Sequence, residues 1–489
     1  MYKDKPIKKK KNYRLIVFGI FCIVFYYIGR STCKKNIKKN TRKYVPTEQS
    51  SPTEQPSPVV QSSPTEQSPI ANEIREGMRN AFNSYLRDAW KMDEYNPITQ
   101  KGASSKKGIM IIDSLDSLYL MGLKEEFTKA EKFVQEDFYL EGNMNVFETN
   151  IHILGGLLSA HSLTNNNIFL EHARKVGDKL LLAFQKRIPC GVIGENNYCG
   201  YPKWTEGKAI NAEIGTLSLE FETLSHLTND PTWSRKIQGI NNFWYENGHR
   251  GLLQMFIDPN TEEQSGTRGI GGGIDSTYEY LLKLTLLNGD KLAKKMYDIF
   301  ERKIYLSMFT TFGKTTFPNQ AFTNTVDHIE CFLGGTFILS KKFVQKGLEF
   351  TETCAKMYTS TKSGLACEQV TIQKNGEIVC KNDIYLLRSE VVESIFYAWR
   401  HTHDQKWRNY ATQIWNAINK HCKVDTGGFT NIQNLNSATP TQLDKQESWF
   451  LAGTLKYLWL IFQPDDVLPL DEYVFNTEAH PLPKLNIVY

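Results

Sequence analysis

Val146-Phe-Glu-Thr-Asn-Ile-His-Ile-Leu-Gly-Gly-Leu-Leu-Ser-Ala-His161 is a strongly apolar run with one carboxylate, Glu148, near its head. From Ile151 onward the apolar residues cover too much of a helical surface for a helix facing water, so the run predicts a buried helix. An isolated acid at such a mouth is ordinarily a partner for the helix dipole. Here the design recurs. Apolar helices start near Asp113, Glu148, Gly215, Asp275, His328, Glu390 and Glu447, seven in all. After most of them comes a turn such as Leu-Thr-Asn-Asp or Leu-Asn-Gly-Asp, then a more amphipathic helix, as over 167–186, 231–245, 289–304 and 405–420. A hairpin of one apolar and one amphipathic helix cannot bury itself alone, but a series of them can.

Seven such hairpins can close into a toroid with the apolar helices inside. The predicted class is therefore all-α, an (α/α)7 barrel. Every inner helix then runs the same way, and the residues at the helix starts gather at one mouth. Most of them are acids: Asp113, Asp116, Glu148, Glu220, Asp275, Glu390, Glu393 and Glu447. Like charges so crowded are costly unless a cation or a polar ligand compensates.

The net charge of +5 is unevenly spread. Residues 1–43 hold fourteen Lys or Arg and one acid, Asp4, so the rest of the chain sums to −8. An acidic folded part argues against nucleic-acid binding. Between Arg14 and Arg30 lie fifteen uncharged, mostly apolar residues. As a helix they reach roughly 22 Å, against roughly 30 Å of hydrocarbon, and the flanking arginines can snorkel. The expected organisation is a cytoplasmic basic tail (1–14), a signal-anchor helix (15–29), a disordered luminal stem (30–70) and a catalytic domain (71–489). The stem repeats Pro-Thr-Glu-Gln with almost nothing apolar, so it cannot bury a core. A single-pass type II membrane protein of the endoplasmic reticulum or Golgi follows, with a monomer as the expected state. Cysteines 190 and 199, 331 and 354, and 367 and 380 are close in sequence and lack the histidines of zinc sites. They point to disulfides in an oxidising lumen.

Clustered carboxylates with no Ser or Cys nucleophile suggest glycoside hydrolysis, in which one carboxyl protonates the leaving oxygen and another activates water. Asp113-x-x-Asp116 also has the spacing used by helical enzymes that bind diphosphates through metals, but the further metal and phosphate clusters of such enzymes are missing.

The chain resembles the class I α1,2-mannosidases of glycoside hydrolase family 47 from about Glu73 to Leu482. The matching segments are Asp-Ser-Leu-Asp-Ser-Leu (113–118), Val-Phe-Glu-Thr-Asn-Ile (146–151), Gly-Thr-Leu-Ser-Leu-Glu-Phe (215–221) and Asp275-Ser with Tyr-Glu-Tyr-Leu-Leu-Lys (278–283). Further matches are His328 with Cys331-Phe332, Arg388-Ser-Glu390 with Glu393, Glu447-Ser448, and Val-Phe-Asn-Thr-Glu-Ala-His-Pro-Leu (474–482). The resemblance implies an inverting hydrolase of α1,2-linked mannose on high-mannose N-glycans. It makes Glu148 the general acid, acting through water, Glu390 the activator of the attacking water, and Asp275 the third catalytic acid. It places Ca2+ on the hydroxyl and carbonyl of Thr477, a hard oxygen site. It also implies that Asp113, Glu220, Arg388, Glu393, Glu447 and Glu478 hold water or mannose, that His328 lines the pocket, and that Cys331 pairs with Cys354.

Four departures from the family pattern stand out. His152 replaces an Arg, Ser389 a Pro, and Gly453 a Glu. Gly273 stands where the endoplasmic-reticulum hydrolases carry a glycan-contacting Arg, in a Gly269-Ile-Gly-Gly-Gly-Ile-Asp275 segment closer to the degradation-enhancing branch. A His that fails to replace the Arg's charge would weaken activity. The alternative function is a weakly active or inactive mannose-glycan-binding protein of quality control.

Overall fold

The computed structural model describes residues 68–247, 251–320 and 323–485. The chain divides into two units, Met1–Gln55, which lies outside the described residues, and Pro56–Tyr489, which carries the fold. The expected tail, anchor and nearly all of the stem therefore lie outside the described residues. Among those described, no helix is long and apolar enough to cross a membrane.

The first described helix is α1 (Pro69–Asp88). Six hairpins follow: α2 (Ile109–Leu120) with α3 (Lys124–Glu136), α4 (Gly155–Thr164) with α5 (Asn167–Leu180), α6 (Ser218–Thr228) with α7 (Thr232–Asn247), α8 (Asp275–Asn288) with α9 (Lys291–Ser307), α10 (Phe332–Ser340) with α11 (Val344–Met357), and α12 (Glu390–Thr402) with α13 (Gln405–His421). The last helix is α14 (Leu455–Ile461). The even-numbered helices are the inner ones. Each packs on the next around a ring, and the run into α14 packs back on α2. The inner helix α14 is buried over its whole length, and α10 is buried from Phe332 to Ile338. Outer helices such as α13 bury one stripe only: Trp407, Ala411, Ile414, Trp415 and Ile418.

Local chemistry makes the turns. Helices α4, α6, α8, α10 and α12 each end on a residue in the left-handed region, namely Asn165, Asn229, Gly289, Lys341 and His403. Such a residue ends the helix and reverses the chain. The side chains of Asn166, Asp290 and Asp404 then accept hydrogen bonds from the first free N–H groups of α5, α9 and α13.

Two features correct the sequence expectation. First, among the described residues α14 is followed by no outer helix, and α1 takes that place, packing on α14 and touching α3 and α13. Second, the fold is not purely helical. The connections returning to the inner-helix starts form short antiparallel sheets, such as Met144–Asn145 with Val192–Ile193 and Cys199–Gly200, and Thr325–Asp327 with Gln369–Ile372 and Ile378–Asn382. These strands of two to five residues bury too little to show an alternating pattern in sequence.

A last hairpin, Tyr473–Phe475 with Pro481–Pro483, is buried against α4, α6 and α8 and plugs the ring. Asn476 shapes its tip, accepting from the N–H groups of Glu478 and His480 at 2.9 Å each. Disulfides Cys190–Cys199, Cys331–Cys354 and Cys367–Cys380 are formed, and Cys422 is buried as a thiol.

Candidate active site

A cavity of about 300 Å³ opens at the mouth formed by the inner-helix starts. It is walled by Glu148, Glu213, Asp275, Glu279, Glu390 and Glu393, with Thr477 reaching it from the hairpin tip. That volume suits a small ligand such as a sugar residue. The common direction of the inner helices explains why acids so far apart in sequence meet here.

Each acid has its own electrostatic setting. Burial raises Asp275 to about 7, with the charges of Glu279 and Glu390 adding to it. Glu390 is partly buried, but the neighbouring His328 ring and the Arg388 guanidinium reverse the effect of burial and hold it below the usual carboxylate range. Nδ1 of His328 stands 3.4 Å from Glu390 Oε2, an ion-pair distance without a well-formed hydrogen bond. Burial lifts Glu393 to about 7 although Lys283, shared with Glu279, opposes it. Glu148 is half-exposed, its backbone N–H donated to the Asn145 side chain at 2.9 Å. A π-helical turn, Thr149–Leu154, follows it. That wider turn rotates His152 beneath Glu148.

The other expected site residues sit behind the cavity wall. Glu220 is fully buried and accepts from Asn150, Asn476 and Tyr280, each at 2.8 Å, so it ties the hairpin tip to α6 and α8. Arg388 forks onto Glu368 at 2.7–2.9 Å. Glu447 is buried, bonded to Asn431 and paired with Lys445. His328, expected to line the pocket, lies one layer back, and its neighbours Ile329 and Phe332 form the wall instead. Asp113 and Glu478 are buried below Glu148. Two wall acids, Glu213 and Glu279, were not among the sequence candidates. Glu279 stands one turn after Asp275 on α8, a spacing that does mark it. Glu213 lies in a single helical turn, Asn211–Gly215, before α6 and leaves no such signal.

The departures have structural outcomes. His152 donates to Asp113 Oδ2 at 2.7 Å and to Glu148 Oε2 at 3.0 Å, and its Nδ1 is 3.4 Å from Glu478. Burial would discharge the ring, but the adjacent Asp113 and Glu478 raise its pKa well above the ordinary imidazole value. The positive charge of the usual Arg is thereby kept, so the condition for a weakened site is not met. Ser389 and Gly453 lie against each other: a Cβ on Gly453 would stand 2.9 Å from that of Ser389. Gly273, at φ 83°, lies on the cavity wall against Met255 and Ile210.

Asp113, His152 and Glu478 bring three ligand-type atoms within 4.8 Å of one another. Both ring nitrogens of His152 are engaged by carboxylates, so the imidazolium itself supplies the positive charge of this cluster. Thr477 fits a hard cation better. It reaches the cavity that Glu279, Glu390 and Glu393 wall, and the buried Oε1 of Glu478 and Oε2 of Glu390 have no hydrogen-bond partner.

The family model for glycosyl hydrolase family 47 matches residues 77–484. The chain belongs to that family. Relatives within family 47 include the human mannosyl-oligosaccharide 1,2-alpha-mannosidase IB, 37% identical, which shares 85% of this chain and 70% of its own length. The rat endoplasmic reticulum mannosyl-oligosaccharide 1,2-alpha-mannosidase is 35% identical over 84% of this chain and 68% of its own. Among solved structures, the alpha-1,2-mannosidase from Trichoderma reesei superposes with a TM-score of 0.78 at 24% identity, covering 86% of this chain and 99% of that one. That likeness supports the helical-barrel fold of a family 47 chain.

Proposed function

We propose that this chain is an inverting hydrolase that removes α1,2-linked mannose from high-mannose N-glycans. The observation that carries the reading is one cavity walled by Glu148, Asp275 and Glu390, in which burial raises Asp275 to about 7 while His328 and Arg388 hold Glu390 low. Carboxyl groups whose environments drive their pKa values apart take different roles at one site. Glu390, ionised, takes a proton from the attacking water. Glu148, at the cavity mouth, protonates the leaving oxygen through water. Asp275 keeps a proton near neutrality and donates it as a hydrogen bond to the reacting ring.

Thr477 would hold Ca2+ through its hydroxyl and carbonyl oxygens, with Glu279 and Glu393 binding the surrounding waters. When bound, the ion orients sugar hydroxyls and neutralises part of the carboxylate charge. Gly273 leaves the wall open beside Met255, which bears on the glycan branch admitted. The three disulfides and the apolar 15–29 run between basic flanks support a luminal domain on a type II anchor in the endoplasmic reticulum or Golgi.

The test is mannose release from a high-mannose N-glycan by the oxidised protein, read by mass, with Ca2+, with a chelator, and with Glu148→Gln. Release that needs both the ion and Glu148 supports the hydrolase. Tight glycan binding without release by folded protein would make it a glycan receptor instead.

A further inference from the structure

A line of buried ionisable groups runs from the core to the catalytic mouth. Lys456 Nζ lies 2.7 Å from Asp116 Oδ1, and Asp116 Oδ2 lies 2.8 Å from His480 Nδ1. His480 Nε2 lies 3.3 Å from Asp113 Oδ1, and Asp113 Oδ2 lies 2.7 Å from His152 Nδ1. His152 Nε2 closes the series on Glu148 Oε2 at 3.0 Å. Every member except Glu148 is buried, and bases alternate with acids throughout. The groups come from four parts of the fold: Lys456 from α14, Asp113 and Asp116 from α2, His480 from the hairpin tip, and His152 and Glu148 from the π-turned run.

We propose that His152 is a positioning residue for Glu148: its protonated ring, braced from behind by Asp113, presents a fixed N–H to the Glu148 carboxyl and stabilises the charge that forms as Glu148 gives up its proton. The inference rests on Glu148 being the acid of the proposed reaction. An interaction that grows as the carboxylate develops lowers the barrier rather than merely tightening binding. The geometry also explains why the ring stays in place. Asp113 is held between two imidazoles, His152 and His480, so it stays ionised although fully buried. Lys456 and His480 do the same for Asp116. The groups facing His152 are Asp113 from α2, Glu148 on its own run, and Glu478 from the hairpin tip, with His480 one step behind Asp113.

An arginine in this place would stay charged at any working pH, whereas an imidazole does not. When His152 loses its proton, Nε2 turns from donor to acceptor and the support for Glu148 is lost. Loss of this proton adds a second alkaline fall to kcat, above the one that Asp275 sets near pH 7.

The experiment compares kcat and KM against pH for the native protein, His152→Gln and His152→Arg. Expected is a loss of roughly 100-fold in kcat for His152→Gln with KM little changed. His152→Arg restores most of that loss and removes the upper alkaline fall, leaving the one set by Asp275. A kcat for His152→Gln within about threefold of native, or an upper alkaline fall that persists in His152→Arg, overturns the proposal. Should His152→Gln fail to fold, labelled-imidazole NMR on the native protein and on Glu148→Gln decides it, with the His152 signal assigned by its loss in His152→Arg. A ring that titrates above the free-histidine value, and at lower pH in Glu148→Gln, supports the contact; an unchanged titration overturns it. Absence of mannose release from every variant at every pH would defeat the proposed function alone, since the ring titration still reads the contact.

Discussion

At the scale of single residues, the mouth of the barrel is a collection of carboxyls that burial drives toward the protonated form. Glu213 is the simplest case. Burial raises it from 4.5 to about 7, with Glu148 adding and an Asn145 hydrogen bond opposing. A raised folded pKa means that its contribution to stability is present below pH 4.5 and is lost as pH climbs through about 7. Glu213→Gln should leave the melting temperature near pH 4.5 little changed and raise it at pH 8, by an amount worth at most about 3 kcal/mol. Thermal unfolding at the two pH values measures this, and equal shifts at both would contradict it. Asp113 and Asp116 have the opposite sign. Their folded pKa values are depressed, so their contribution is present above the ordinary carboxylate range and is lost on acidification through it.

At the scale of elements, the hairpin turns carry a repeated instruction: a left-handed residue, then a capping acid or amide. The turn between α8 and α9 shows it in full. Gly289 has φ 72°, and Asp290 accepts from the N–H groups of Leu292 and Ala293 at 2.8 and 2.9 Å. Asp290→Ala should destabilise the fold by about 1–2 kcal/mol. The inner architecture is unchanged by that loss, so mannose release at 25 °C should persist while the unfolding midpoint in urea falls. The same instruction was readable in Leu-Asn-Gly-Asp as a string of letters. The π-turn after Glu148 was not, because it depends on how Asn150 and Ile151 meet Glu220 and Asn476 from other elements.

At the scale of the whole molecule, closure of the ring depends on α1. Helix α1 packs on α14 and meets α13 where Gly77 lies against Trp415: a Cβ at Gly77 would stand 2.5 Å from the indole edge. Glu73 accepts from Trp415 Nε1 at 3.1 Å, and Arg75 donates to the Met121 carbonyl at the end of α2. Gly77→Leu should wedge this seam and cost about 1–3 kcal/mol as overpacking. Because the seam joins the first and last parts of the fold, loss of cooperativity should accompany the lower melting temperature. A calorimetric transition as sharp and as stable as the native one would show that the ring does not close there.

Seven buried helix starts, their acids and the turns between them were legible in the sequence, because helical periodicity and turn chemistry act over a few residues. The same locality put Glu148, Asp275 and Glu390 among the helix-start acids, from which the family resemblance picked them out, and let the outer helices be bounded to within a few residues. Tertiary structure decided what depends on distant partners. It made α1 the outer helix of the last repeat and turned the closing Asn476-Thr477-Glu478 stretch into a plug tip. It also moved Glu220, His328 and Glu447 behind the wall, where partners from other elements fix them, and brought Glu213 to the front. Above all it decided the charge on His152. The sequence shows only an imidazole where a guanidinium is usual, and the protonation of an imidazole is set by the carboxylates folded against it.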